Sequence, residues 1–271
     1  MTGSFYFYTM NNNPIGIFDS GVGGTSIWKE IHSLLPNEST IYLADSKNAP
    51  YGHKTQDEII SLSLKNTEKL LSMGSKLIVV ACNTATTNAI EILRKKYPIP
   101  FIGIEPAIKP AALKTKSKVV GILATKGTLQ SSLFSKTSEL FAHNIQIIEV
   151  VGEGLVPLIE ENKIETREMD LLLEKYLSLM IAAQIDYLVL GCSHYPYLIP
   201  QIKKILPPHV TIIDSGEAVA KQTKSLLEKN ELAGPAKNNP TLKFYTNKTT
   251  PTLIHLLKDY SQRISISYMD F

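Results

Sequence analysis

The chain has 271 residues, 44% of them hydrophobic and 20% charged, enough to bury one large core or two medium ones and ordinary for a soluble globular protein. Its net charge of +3 is scattered among acids with no concentrated aromatic–basic patch, which argues against nucleic acid as a partner. No apolar stretch approaches the roughly 18 residues that span a bilayer, and two cysteines make no disulfide framework, so the expectation is a cytoplasmic protein with free thiols and no membrane partner.

In chain order, the first dozen residues read as a disordered extension without the basic and apolar regions of a signal peptide. Short apolar runs follow: "PIGIFDS", "STIYLADS", "KLIVVACNT", "IPFIGIE", "KVVGILAT", "IQIIEVV", "DYLVLGCS" and "VTIIDS". Between them lie amphipathic segments such as 55 to 73 and 166 to 182, with apolar residues recurring every three or four positions. Strands that read as continuous apolar runs and alternate with helices predict βαβ units with parallel sheets covered on both faces, an α/β fold. The stretch "LAGPAKNNPTLKFYTNKTTP" reads as a Pro- and Asn-rich connector before a final helix-like segment.

The runs end on polar residues: Asp19-Ser20, Asp45-Ser46, Cys82-Asn83-Thr84, Thr125, Cys192-Ser193-His194 and Asp214-Ser215. In open α/β sheets, ligands bind outside the carboxyl ends of parallel strands. The pattern is also doubled. "IGIFDSG" has a counterpart in "VGILATKG" and "LIVVACNT" in "YLVLGCSH", which predicts two similar lobes with one cysteine each, joined near 104 to 116 and just past 214 to 221.

The glycine loop "GVGGTS" (21 to 26) is neither a dinucleotide fingerprint, since Ser26 stands where the last glycine belongs, nor a P-loop, since Gly-Lys-Ser/Thr is missing. It reads either as a tight strand-to-helix turn or as a set of backbone N–H groups able to hold an anionic group. Neither C-x-x-C nor H-E-x-x-H occurs, so neither a metal nor a redox dithiol is expected. Singly, each cysteine reads as a small buried hydrophobe. Together, in matched contexts, they read as two thiols facing one another across a cleft. Such a pair suits inversion of a stereocentre bearing an acidic hydrogen, which needs a base on one face and an acid on the other. His194 and Asp19 are placed in sequence to tune them.

"IGIFDSGVGG", "APYG", "ACNTAT", "GIEPA", "GILATKGT", "VPLIEE" and "GCSHYP", in this order and at these spacings, resemble bacterial glutamate racemases of the aspartate/glutamate racemase superfamily over roughly residues 14 to 225. The resemblance implies a pseudo-symmetric enzyme of two α/β lobes with its site in the cleft between them. One lobe would hold residues 1–111 and 221–271, with Asp19 and Cys82, and the other residues 112–220, with Cys192 and His194. It implies cofactor-free interconversion of L- and D-glutamate for peptidoglycan, with Cys82 taking the α-proton of the D form and Cys192 that of the L form. Asp19 and His194 would assist, and the substrate would contact Asp19, Ser20, Tyr51, Gly52, Asn83, Thr84, Glu160, Ser193 and His194. A homodimer is left open. So are a racemase for aspartate or another small acid, and a non-catalytic amino-acid-binding protein.

The chain departs from the family at Ser193, where threonine is usual, at "GEGL" (152 to 155), where a Cys-Pro-Leu-Phe-like stretch is common, and at Asn48, where arginine is common.

Overall fold

The computed structural model describes residues 12–141, 144–234 and 239–271. The N-terminal extension expected from the sequence lies, but for Asn12, outside these residues.

All eight apolar runs form strands: β1 (Ile15–Asp19), β2 (Thr40–Ala44), β3 (Leu77–Val80), β4 (Phe101–Gly103), β5 (Val119–Ala124), β6 (Gln146–Val151), β7 (Tyr187–Gly191) and β8 (Thr211–Ile213). Two more strands, β9 (Leu242–Thr246) and β10 (Ser265–Tyr268), lie in the tail, so the expected connector contains a strand and the chain closes on another. The helix between them is short, Pro251–Leu256.

The strands form a six-stranded sheet in the order β10-β9-β2-β1-β3-β4 and a four-stranded sheet in the order β6-β5-β7-β8. Every pairing is parallel. Parallel neighbours need crossover connections, and helices supply them. The helix Gln56–Ser72 starts on a complete capping box between Thr55 and Glu58, and Arg167–Ala182 is capped by Thr166, so both expected helices begin where their caps satisfy free N–H groups. Among the described residues no helix is long and apolar enough to cross a membrane.

The chain passes from the first sheet to the second between β4 and the helix Ile108–Lys114, and returns between β8 and the helix Gly216–Lys229. The first helix packs against β7, and the second against the helix Thr25–Leu34. Both divisions expected from the sequence, 111/112 and 220/221, therefore fall inside helices. Each helix belongs whole to the lobe whose apolar surface it covers, which moves the crossings to 104–107 and 214–215. The two crossings touch, since the Ser215 hydroxyl donates to the Glu105 carbonyl.

Candidate active site

Three strand ends build the site. β1 delivers Asp19 and Ser20, β3 delivers Cys82, and β7 delivers Cys192, Ser193 and His194. β1 and β3 are neighbours in one parallel sheet, so Asp19 and Cys82, 63 positions apart (82 − 19), end side by side, whereas Cys192, 110 positions further on (192 − 82), reaches the same cavity from the other sheet.

Cys82 caps the helix Asn83–Lys96, its sulfur accepting the Ala85 N–H at 3.4 Å and donating to Ser20 Oγ at 3.6 Å. A helix N-terminus favours a thiolate. Here burial is the larger effect, and with the nearby Asp19 charge it pushes the Cys82 thiol up to about 12. At that value the Cys82 side chain is a thiol at neutral pH. Cys192 is also buried, with its sulfur 3.8 Å from His194 Nδ1. Burial alone would discharge His194, but its contacts with the Cys192 sulfur and Glu160, and the charge of Asp19, hold the imidazole well above its usual range. An imidazolium in that position stabilises negative charge on the Cys192 side.

The glycine loop has a definite partner. Val22 N–H donates to Glu160 Oε1 at 2.7 Å, and Ser46 Oγ donates to Glu160 Oε2 at 2.9 Å. His194 Nε2 stands 2.7 Å from Glu160 Oε1, with Gly23 N–H beside it at 3.2 Å. A Cβ on Gly21 would collide with the Glu160 carboxylate and one on Gly23 with the His194 ring, so glycine is required at both positions by close approach. The anionic group held by the loop is the protein's own Glu160, which stands behind His194 and outside the cavity wall.

Asp19 is fully buried. Its Oδ1 accepts the Gly21 N–H and its Oδ2 the Ser193 hydroxyl, each at 2.8 Å. Burial pushes its carboxyl up to about 6, against the pull of His194, Ser193 and Gly21.

Between the sulfurs lies an enclosed cavity walled by Ser20, Pro50, Tyr51, Gly52, Cys82, Asn83, Thr84, Thr125, Val156, Cys192, Ser193 and His194. The cavity is small. It has room for about one water, less than an amino acid needs. Both polar atoms of the Asn83 amide are buried without a partner. An unmet buried polar group costs about 1–3 kcal/mol, which a bound ligand would recover.

Of the expected substrate contacts, Ser20, Tyr51, Gly52, Asn83, Thr84, Ser193 and His194 reach the cavity, whereas Asp19 and Glu160 stand behind it. The Tyr51 hydroxyl is already committed, donating to Asp45 Oδ2 at 2.5 Å and accepting from Asn66 Nδ2 at 3.1 Å, so the residue offers its ring and backbone. The Ser193 proton is likewise committed to Asp19. Pro50, Thr125 and Val156 are wall residues that the sequence left without a role. Thr125 was visible as a polar strand end, and its hydroxyl lies 2.8 Å from that of Thr84. Among the described residues no group of three or more His, Cys, Asp or Glu side chains gathers in metal-binding geometry.

Ser193→Ala removes a hydrogen bond that helps keep Asp19 ionised. The acid limb of the pH–activity profile should move to higher pH, and Ser193→Thr, which keeps the hydroxyl, should leave it in place. An unmoved limb in the alanine variant would detach Ser193 from Asp19 in function.

The family model for Asp/Glu/hydantoin racemases matches residues 15–223. The glutamate racemase of Pseudomonas syringae pv. tomato is 46% identical over 228 residues, 83% of each chain. A similar solved structure is the Francisella tularensis glutamate racemase in complex with D-glutamate, 31% identical with a TM-score of 0.82 over 96% of this chain and 98% of that one. Another is the Escherichia coli glutamate racemase in complex with L-glutamate and the activator UDP-MurNAc-ala, 33% identical with a TM-score of 0.82 over 95% and 98%. The matched span contains both cysteine-bearing strand ends and the glycine loop, and the chain belongs to the Asp/Glu/hydantoin racemase family, within it to the glutamate racemases.

Proposed function

We propose that the protein interconverts L- and D-glutamate by moving protons between Cys82 and Cys192, without a cofactor. The observation that carries this reading is that the only two cysteines of the chain line one small cavity from two different sheets. In one direction the Cys192 thiolate, faced by the His194 imidazolium, removes the α-proton of L-glutamate while the Cys82 thiol delivers a proton to the other face. The reverse direction exchanges the roles, so each turnover leaves the thiol pair in its opposite protonation state. Asn83, Thr84, Thr125 and backbone N–H groups hold the two carboxylates. These groups add no fixed charge of their own beside the sulfurs. Asp19 and Glu160 act through Ser193 and His194 rather than by touching the substrate. Relatives bound to each enantiomer support glutamate as the substrate. The D-glutamate would feed peptidoglycan synthesis in the cytoplasm.

The test is a circular-dichroism assay on both enantiomers of glutamate and of aspartate, with and without pyridoxal phosphate and after exhaustive dialysis against EDTA. Racemisation of glutamate, unaffected by either treatment and much faster than that of aspartate, is the expected result. Activity that requires restored metal or added cofactor would overturn the mechanism, and preference for aspartate would overturn the substrate.

A further inference from the structure

Beside the cavity lies a second, small pocket between the lobes, which shares Pro50, Gly52, Thr125 and Val156 with it. Across this pocket His53, on the loop after β2, faces Glu153, on the loop after β6, with Nε2 3.3 Å from Oε1. Glu153 belongs to the stretch "GEGL".

Both loops are held firmly from below. Tyr51 is tied to Asp45, which also accepts from Asn48 and Asn247, at 2.7 and 2.6 Å. On the other side Tyr176 donates to the Glu153 carbonyl at 2.7 Å, and Tyr195 to the Gly152 carbonyl at 3.2 Å. Gly154 turns the chain in the left-handed conformation at φ 82°. This contact between two such loops, a salt bridge whenever the imidazole carries a proton, resists movement of one lobe against the other.

The geometry points to the His53–Glu153 pair as a latch across the mouth of the cleft, setting how often the lobes part to admit substrate. The two chain crossings at Glu105 and Ser215 join the lobes elsewhere. The pair is half-exposed, with side chains 51% and 61% accessible, so it adjusts the opening equilibrium modestly and does not lock it. It acts on access rather than on the chemistry, and its test needs no turnover.

The chain supplies its own reporter, because its only two cysteines are both buried in the cavity. Their rate of reaction with an uncharged thiol reagent, 4,4′-dithiodipyridine, follows the open population when reclosing is fast. His53→Glu sets two carboxylates against each other, and Glu153→Lys sets a cation against His53 and the neighbouring Lys126. At low salt and at about pH 5.5, where an ordinary imidazole is protonated, each single variant should react about two- to five-fold faster than the unmodified protein, as loss of an exposed pair permits. The double variant, His53→Glu with Glu153→Lys, restores opposite charges and should return close to the original rate. In about 1 M salt all four should converge, since charges then screen within about 3 Å. Single variants that react at the original rate would overturn the latch. So would a double variant as fast as the singles, which would mean loop damage instead of a charge pair.

Discussion

Serine in place of either Cys82 or Cys192 should lower racemisation of glutamate about 10²- to 10⁴-fold in both directions, the range for loss of a positioned acid or base. The loss cannot be one-sided. Enantiomers have equal free energy in water, so kcat/KM must be the same for L- and D-glutamate in the original enzyme and in every variant. The difference between the two thiols shows instead in a reaction that needs only one of them. Loss of a β-leaving group from a substituted glutamate requires removal of the α-proton and expulsion of the leaving group, with no proton returned to the opposite face. Cys82→Ser keeps the base for the L enantiomer and should eliminate from that form. Cys192→Ser keeps the base for the D enantiomer and should eliminate from the other. Because Cys82 begins as a thiol pushed up to about 12, elimination by the Cys192→Ser enzyme should speed up as pH rises. If both variants eliminated from the same enantiomer, the assignment of faces would be wrong.

Asp19→Asn should stabilise the fold while it impairs the enzyme. Burial pushes the Asp19 carboxyl from 3.8 to about 6, so between these values the folded protein binds a proton that the unfolded chain has released. Stability from this group is therefore full below about pH 4 and falls as pH rises through about 6. The shift corresponds to about 3 kcal/mol. Asparagine imitates the protonated carboxyl, can still accept from Gly21 N–H and stay bonded to Ser193, and has no proton to lose. In urea denaturation the variant should match the original protein near pH 3 and exceed it by about 3 kcal/mol at pH 7. Activity should fall at neutral pH, because the charge beside Ser193, His194 and Cys82 is gone. A stability difference that does not change with pH would mean that Asp19 is not held in the strained, ionised state the site requires.

Of the eight strands legible in the sequence, β1, β2, β3, β4, β5 and β7 are almost wholly buried, where a parallel strand reads as an unbroken apolar run. β6 and β8, at the edges of the smaller sheet, are largely unburied and were legible from their Ile and Val residues. β9 and β10 escaped because they lie toward and at one edge of the larger sheet. "LKFYT" carries an exposed lysine between polar turns, and "SISY" alternates serine with larger residues and is mostly exposed. Cys82, Asn83, Cys192, Ser193 and His194 were legible because a strand end is where an apolar run stops and chemistry begins. Glu160 behind the glycine loop was not legible as the loop's anion, since Val22 and Glu160 are 138 positions apart and nothing local records their contact. Pro50 and Val156 were silent for another reason. An apolar wall residue carries no group that distinguishes a cavity from a core. The passages between the sheets lie at 104–107 and 214–215, beside helices that the sequence marks without saying which sheet each will cover.

The central claim, that two thiols work on opposite faces of the α-carbon, is tested most directly by the deuterium content of both enantiomers early in a racemisation run in D₂O. The buried thiol that removes the substrate proton keeps it during the turnover, while the other thiol delivers a deuteron taken from solvent beforehand. In the first few per cent of reaction from L-glutamate, the D-glutamate formed should therefore carry deuterium at Cα and the remaining L-glutamate should carry none. The same must hold with the enantiomers exchanged. D-glutamate that retains the original hydrogen, or L-glutamate that gains deuterium as fast as product appears, would point to a single base serving both faces and would contradict the account.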